Sequence, residues 1–297
     1  MSISKAVSDL ITLALTEDLG TIEEIWNPKG DITSQAFIPE DDCSRARIVA
    51  RSECVISGIA TAVEVFSRVD PALEISLSCQ EGDLLSKGSV LLEVTGSTRS
   101  ILSAERTALN FLGRLCGIAT LSRRYADAVA GTGVQLLDTR KTTPGWRVLE
   151  KQAVKAGGCV NHRMGLYDAV LVKDNHLAAL GDLALLPPVT AQLRIEYPGL
   201  SIEIEADTLD QVEQLLTIPG IDVILLDNMS CDEMRQAVGL RNAVAPQVLL
   251  EASGGITLET IPAIAATGVN RISVGALTHS VLNADLSLEL QPLEDVA

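Results

Sequence analysis

Residues 222–227 read DVILLD, with Asn228 next. Val, Ile and two Leu stand in a row, closed by an aspartate. Such a run does not alternate as a half-buried strand would; it suits a strand covered on both faces. The same form recurs outward from it: SIEIEA (201–206), DAVLVK (168–173) and VQLLD (134–138) upstream, QVLLEA (247–252) and RISVGA (271–276) downstream. Helical patterns or connections separate these runs. Short apolar strands alternating with helices predict a parallel sheet covered by helices. No G-x-G-x-x-G opens the first unit, which disfavours a dinucleotide-binding Rossmann fold.

What ends each run is more telling. The first closes on Asp138-Thr139-Arg140-Lys141 and the second on Lys173-Asp174-Asn175-His176. The third carries Glu203, Glu205 and Asp207, and the fourth ends in Asp227-Asn228. The fifth holds Glu251 and Ser253-Gly254-Gly255, and Gly275 closes the sixth. (β/α) barrels build their active sites at the C-terminal ends of their strands. A single Asp or Ser there reads as a helix cap or turn residue. Charged residues at several successive ends read better as a site.

The chain carries 23 Lys+Arg against 39 Asp+Glu, a formal net charge of -16. That balance disfavours nucleic acid or an anionic membrane as partners of the whole surface. Yet residues 138–176 gather seven Lys/Arg with only four acids, and two of the three histidines. Arg147, Lys151 and Lys155, four apart, read as the solvated face of a helix. Arg140, Lys141, His162, Arg163 and Lys173 lie at strand ends and in a loop. Brought together, they would form a pocket for a ligand with several carboxylate or phosphate groups. Ser253-Gly254-Gly255 reads as Gly-rich backbone before a helix, a phosphate site. Val274-Gly275-Ala276 at the next strand end strengthens it, since barrels often hold phosphate between their last two units. Glu205 and Asp227 suggest Mg²⁺ shared with substrate oxygens; partnering the cluster's Lys and Arg is the other reading for each acid.

Upstream the rhythm differs. Residues 1–19 read as an amphipathic helix, not a signal peptide, and 21–34 as a loop. Strands are predicted at 45–58 and 73–79, a helix at 59–68 and a small β-rich layer at 81–97. A long helix covers 98–129, with Arg106, Asn110 and Arg114 on one face. This divides the chain into an N-terminal domain (1–115), with segment 277–297 a candidate to join it, and a catalytic domain (116–276). With 47% apolar residues the chain can bury a large core. No apolar run reaches the ~18 residues that span a bilayer. Six scattered cysteines without C-x-x-C read as buried thiols of a cytoplasmic protein.

The motifs AERTALNFLGRLCGIAT (104–120), DTRKTTPGWRVLEKQAVKAGG (138–158), NHRMGLYDAVLVKDNH (161–176), LLDN (225–228) and SGGITLETI…TGVNRISVGALTHS (253–280) resemble the quinolinate phosphoribosyltransferases across nearly the whole chain. The resemblance implies an N-terminal α/β sandwich domain followed by an open (β/α) barrel of the type II phosphoribosyltransferase kind. It implies a glycosyltransferase that joins quinolinate and phosphoribosyl pyrophosphate into nicotinate mononucleotide, pyrophosphate and CO2 with Mg²⁺, at the entry to de novo NAD synthesis. It further implies a homodimer or higher oligomer in which Arg106 reaches the neighbour's site. By position, Arg140, His162, Arg163 and Lys173 would hold the two carboxylates, and Thr139 would line the same site. Lys141 and Lys173 would face the phosphoribosyl pyrophosphate. Glu205 and Asp227 would contact ribose hydroxyls or Mg²⁺, and Ser253, Gly254, Gly255, Val274, Gly275 and Ala276 would bind phosphate. Lys141, Lys173, Glu205 and Asp227 are the expected catalytic set. Glu203, two residues from Glu205 on the same strand face, competes with it.

Departures from the family pattern are few: TIEEIWNPKG (21–30) looks inserted, Trp146 and Cys159 replace smaller residues, and DNMS stands for DNF. Three other readings compete, one of them a non-enzymatic anion-binding or regulatory relic, against which intact Lys141, Lys173, Glu205 and Asp227 speak. A homologue taking a different aromatic acid would lack one of the carboxylate-binding cations, all of which are present. An aldolase-like barrel with Lys173 as a Schiff-base lysine would leave Arg140-Lys141 and His162-Arg163 unexplained.

Overall fold

The computed structural model describes residues 4–20 and 30–293. The chain forms two compact units: Met1–Arg123 with Thr142–Gly158 and Val281–Ala297, and Arg124–Lys141 with Cys159–Ser280.

In the first unit, α1 (Lys5–Leu19) starts at Ser4, whose side chain accepts the Val7 N–H. A short helix, α2 (Ile32–Phe37), falls where the sequence reads as loop. Asp31 caps it by accepting the Ser34 N–H at 3.0 Å. Six residues are too few for a helical period to show, so only the cap could have signalled it. The rest of that expected loop and most of the apparent insertion, residues 21–29, lie outside the described residues.

The single strand expected over 45–58 is two strands, β1 (Cys43–Ala50) and β2 (Cys54–Val55). Next come α3 (Ile59–Val69), β3 (Glu74–Leu77), β4 (Leu84–Leu85), β5 (Val90–Ser97) and α4 (Thr98–Ala128). Gly58 precedes α3 at φ +88, and a Cβ there would lie 2.4 Å from Leu115 Cδ1. Only glycine suits both demands. The Glu81 carboxylate accepts the Gly58 and Ile59 N–H groups, each at 2.9 Å, and so caps the helix with a negative charge. The last strand of the chain, β12 (Leu286–Pro292), completes an antiparallel sheet of order β12-β1-β5-β3.

Helix α4 buries Ile101, Ala104, Ala108, Leu112 and Leu115 at three- and four-residue spacing. Each such Leu or Ile contributes about 1.5–3 kcal/mol. Arg106 and Asn110 lie on its exposed side. Arg114 instead pairs at 2.8 Å with Glu150, a fully buried acid of α5 (Arg147–Ala156). Trp146, just before α5, stacks on Phe111 with ring centroids 4.7 Å apart. The solvated face expected for α5 holds for Lys155 but not for Lys151, which is 1% exposed. Four-residue spacing marks a face, not which way it points.

The second unit carries the predicted repeat: β6 (Gln135–Leu137), β7 (Val170–Val172), α6 (Asp174–Leu180), α7 (Leu186–Glu196), β8 (Ile202–Ala206), α8 (Leu209–Leu216), β9 (Val223–Asp227), α9 (Cys231–Val244), β10 (Leu249–Ser253), α10 (Ile261–Ala265), β11 (Arg271–Ser273) and α11 (Ala276–His279). The strands form one parallel sheet, β6-β11-β10-β9-β8-β7, open between β6 and β7. A bridge from Leu137 to Val160 extends the β6 edge. Ser230 and Glu233 form a capping box that starts α9, as Thr208 and Gln211 do for α8. Register aligns Glu205 with Leu225, Leu225 with Glu251, and Glu251 with Arg271. One layer up, Asp227 aligns with Ser253. Strand register thus puts Glu205 and Glu251 in one row and Asp227 in the next, with Glu203 a row below, on one face of the sheet.

Candidate active site

Strand β8 gives its two acids different partners, although both are buried, Glu203 at 3% and Glu205 at 6% exposed. Glu203 and Glu205 share a face, as period-two geometry requires. Glu205 Oε2 lies 3.3 Å from Lys173 Nζ, and Oε1 accepts the Asp174 N–H at 3.4 Å. Carboxylate oxygens of Glu205, Asp207 and Asp227 all fall within 4.8 Å of one another. Asp207, just past the strand end, is exposed and Asp227 half-buried. Among the described residues, this group offers only hard oxygen ligands, which suits Mg²⁺.

Glu203 belongs elsewhere. His162 Nε2 lies 3.1 Å from Glu203 Oε2 and 3.4 Å from Glu251 Oε1. Both carboxylates are buried, Glu251 fully. Burial of the His162 ring pulls its pKa down, but the two carboxylates outweigh that and lift it to about 9. Burial raises the pKa of Glu203, opposed by His162 and helped by the charge of Glu251. The ring's Nδ1 accepts the Arg163 N–H at 2.8 Å, which a doubly protonated ring could not do. The electrostatic pull and this hydrogen bond therefore disagree about a second ring proton. The hydrogen bond is the more direct witness: it leaves one ring proton, on Nε2, facing the acids.

The cations gather around this pair of acid groups. Asp138, fully buried at the end of β6, accepts the His162 N–H at 2.8 Å, which ties the loop 159–169 to the strand. Arg163 donates from Nη1 to Ala169 O at 3.1 Å. Burial lowers its pKa, and the charge of Arg140 lowers it further, so the two guanidinium groups feel each other. The carboxylates of Glu203 and Asp168 act on Arg163 in the opposite sense. Arg140 and Lys141 are exposed, and the Lys141 N–H bonds Thr139 Oγ1 at 3.1 Å. Lys173 is half exposed and reaches back to Glu205.

Ser253-Gly254-Gly255 does not open a helix, contrary to the sequence reading: α10 begins only at Ile261. It is a tight corner against the end of β9. Asn228 stands at φ +53, its N–H bonding Ser253 O at 2.9 Å. Gly254, at φ +95, has space for no Cβ; one would lie 2.2 Å from Asn228 Oδ1. Gly255 is exposed at φ +60 with open space beside it. Val274-Gly275-Ala276 leads into α11, and a Cβ on Gly275 would come within 3.0 Å of Lys141 Cδ and 3.1 Å of His279 Nε2. Thr278 Oγ1 donates to Lys141 O at 2.7 Å, which fixes that backbone beside Gly275. Both glycines are therefore places where backbone and polar side chains approach closely.

So the second unit brings together Thr139, Arg140, Lys141, His162, Arg163, Lys173, Glu205, Asp227 and both Gly-containing corners. Arg106 lies in the first unit, exposed on α4. Sequence reasoning gave no site role to Asp138, Asp207, Glu251 or His279. Glu251 had a signal: it sits two residues before Ser253, on the same strand face.

Residues 118–289 match the family described as "Quinolinate phosphoribosyl transferase, C-terminal domain", and residues 31–116 its N-terminal domain. The chain is 43% identical over 274 residues to a "Probable nicotinate-nucleotide pyrophosphorylase (carboxylating)" of Bacillus subtilis (strain 168), covering 92% of this chain and 90% of that protein. It is 41% identical to the "Nicotinate-nucleotide pyrophosphorylase (carboxylating)" of Mycobacterium leprae (strain TN), covering 96% and 97%. Among solved structures, the nicotinate-nucleotide pyrophosphorylase from Ehrlichia chaffeensis aligns with a TM-score of 0.87 at 37% identity, over 98% of this chain and 100% of that one. The resemblance read from the DTRKTTPG, NHR and KDNH motifs thus extends over both units: the chain belongs to the quinolinate phosphoribosyl transferase family.

Proposed function

We propose that this chain transfers the phosphoribosyl group of phosphoribosyl pyrophosphate to quinolinate with loss of CO2, giving nicotinate mononucleotide and pyrophosphate for de novo NAD synthesis. The observations that carry the reading are the neighbouring Arg140 and Arg163 guanidinium groups and the Lys173–Glu205 pair, in a chain that matches this family along both units. Quinolinate has two carboxylates, and Arg140 and Arg163 are suited to hold them by bidentate contacts. Lys141 and Lys173 face the pyrophosphate. Ser253–Gly255 and Val274–Ala276 offer backbone N–H groups to phosphate oxygens, where glycine lets the substrate approach.

As pyrophosphate departs, the ribose becomes oxocarbenium-like and the pyridine nitrogen attacks C1. Glu205 and Asp227 are placed to stabilise that positive charge and to fix the ribose hydroxyls. Lys141 and Lys173 stabilise the negative charge on the leaving group. Decarboxylation then builds negative charge on the ring carbon, which the same cations favour. Glu205, Asp207 and Asp227 would hold Mg²⁺, which when bound supplies further neutralisation of pyrophosphate charge.

The working unit is a homodimer or larger, with Arg106 completing the neighbour's pocket. That reading rests on Arg106 being exposed on α4, and on the family resemblance. Unbridged thiols support a cytoplasmic setting. Nucleic acid and membrane are not partners in this reading; among the described residues no helix is long and apolar enough to cross a membrane.

Turnover of purified protein with phosphoribosyl pyrophosphate and Mg²⁺, with quinolinate and nicotinate in separate reactions, tests the reaction. Product from quinolinate alone is expected; product from nicotinate alone would sink it. Mixing Arg106→Ala with Lys173→Ala, each inactive alone, should restore activity through mixed dimers. Mixed dimers without activity would refute the shared site.

A further inference from the structure

His162 has one ring nitrogen on two buried acids and the other on a backbone amide. We propose that Glu203 and Glu251 are positioning residues for carboxylate binding: Glu203 Oε2 accepts the His162 Nε2–H, Glu251 adds a second negative charge 3.4 Å from the same nitrogen, and the ring holds the Arg163 backbone. The inference rests on reading the Arg140–Arg163 pocket as the place of a dicarboxylate substrate.

The contacts form a chain. Glu203 on β8 and Glu251 on β10 reach the same nitrogen across β9, at 3.1 and 3.4 Å. Nδ1 accepts the Arg163 N–H at 2.8 Å, and the His162 N–H bonds Asp138 at the end of β6 at 2.8 Å. Residues 162 and 163 are thus pinned from three strands. The acids fix the tautomer, as carboxylates behind a functional histidine commonly do. With the proton on Nδ1 instead, two N–H groups would face each other and Arg163 would be pushed from its place. An arginine that receives a carboxylate needs that place to within a fraction of an ångström.

The acids are costly where they sit. Glu203 Oε1 and both Glu251 oxygens are buried without hydrogen-bond partners among the described residues. Arg271, level with Glu251 in the neighbouring strand, has its Nε buried without one too, and its charge offsets that of Glu203. Apolar residues of similar size would fill this interior at lower desolvation cost. What they could not do is hold the ring proton.

The test is Glu251→Gln, which keeps shape and removes charge, with steady-state kinetics for each substrate. The KM for quinolinate should rise about tenfold, while kcat and the KM for phosphoribosyl pyrophosphate stay within about twofold. In a His162→Gln background the same change should add less than about twofold, because Glu251 acts through the ring. In protein labelled with ¹⁵N-histidine, the His162 Nδ1 resonance should mark an unprotonated acceptor and shift in Glu251→Gln; with three histidines it is assignable by the His162→Gln variant. If Glu251→Gln does not fold, Glu203→Gln, at the nearer acceptor, takes its place. The proposal is overturned by an equal rise in both backgrounds, by equal rises in both KM values, or by a shifted ring with unchanged quinolinate KM. It is also overturned by one zinc per chain that is lost with Glu251, which would make the trio a metal site. If the wild type does not turn over quinolinate, the reading of the pocket fails, whereas the ring resonances still report whether the acids set the tautomer.

Discussion

Two acid clusters stand two residues apart on one strand and do opposite work. Glu205, with Asp207 and Asp227, opens to the strand ends beside an exposed Lys173. Glu203, with Glu251, is enclosed around His162. The residue type, the strand face and the burial of the two β8 acids are the same; their partners differ. At the rim of the proposed site Asp207 and Asp227 are open to a ligand, and loss of such charge is expected to cost function. In the interior, charge must be matched by other protein groups, and removing one member leaves the others uncompensated.

The largest effect should come from the rim. Asp227→Asn keeps shape and removes charge from a half-buried side chain. Turnover should fall about 10²–10³-fold, while the melting temperature stays within a few degrees. A comparable loss of stability would erase the contrast between clusters. The interior gives the converse test. His162→Ala leaves Glu203 and Glu251 facing each other without the ring between them. Removing one partner from a buried charged group costs about 3–5 kcal/mol, readable as a lower urea midpoint. A midpoint equal to the wild type would mean that the ring's N–H does not support the two buried acids.

This contrast also marks how far the sequence could be read. All six parallel strands were legible because strands buried on both faces leave unbroken apolar runs. The cations were legible because seven of them crowd into 39 residues of an acidic chain. The split between Glu203 and Glu205 is not legible, because a period of two puts both on one face and says nothing of the partners each will meet. Lys151 was misread for a related reason: spacing defines a helix face, and only packing decides whether it meets water. Helix α2 was too short to show a period, and β12 pairs with β1 across more than 200 residues of chain, a distance over which local pattern carries no information. Ser253–Gly255 was placed at a helix start because Gly before an apolar stretch looks the same whether a helix or a corner follows.

The corner offers a smaller effect that sharpens the rim side. Gly254→Ala meets both a positive φ and the Asn228 side chain. The strain should cost about 1–2 kcal/mol and raise the KM for phosphoribosyl pyrophosphate more than that for quinolinate, since this corner faces phosphate in the proposed site. Gly255→Ala has open space but the same sign of φ, so it should show the backbone cost without the clash. Equal effects of both variants would show that the Asn228 contact yields easily.

The smallest effect is a pH dependence, and it belongs to the interior. His162 is raised from 6.5 to about 9, by Glu203 and Glu251 against the opposing pull of burial. Glu203 is raised by its own burial. Arg163 and Arg140 on the loop side, Asp138 from β6 and Arg271 from β11 complete the charges around the ring. Both shifts have the same sign: the folded cluster binds a proton more tightly than the unfolded chain, whichever group carries it. A raised pKa stabilises fully below the unfolded value and loses that contribution as pH climbs through the folded value. The melting temperature should therefore fall between about pH 6.5 and 9, and His162→Gln should flatten that fall. The Asp227→Asn variant should keep it, because the rim acids are not part of this proton's account. A wild-type melting temperature constant across the window, or an equal slope in His162→Gln, would show that the interior cluster takes up no proton on folding, and the separation of the two clusters would then rest on geometry alone.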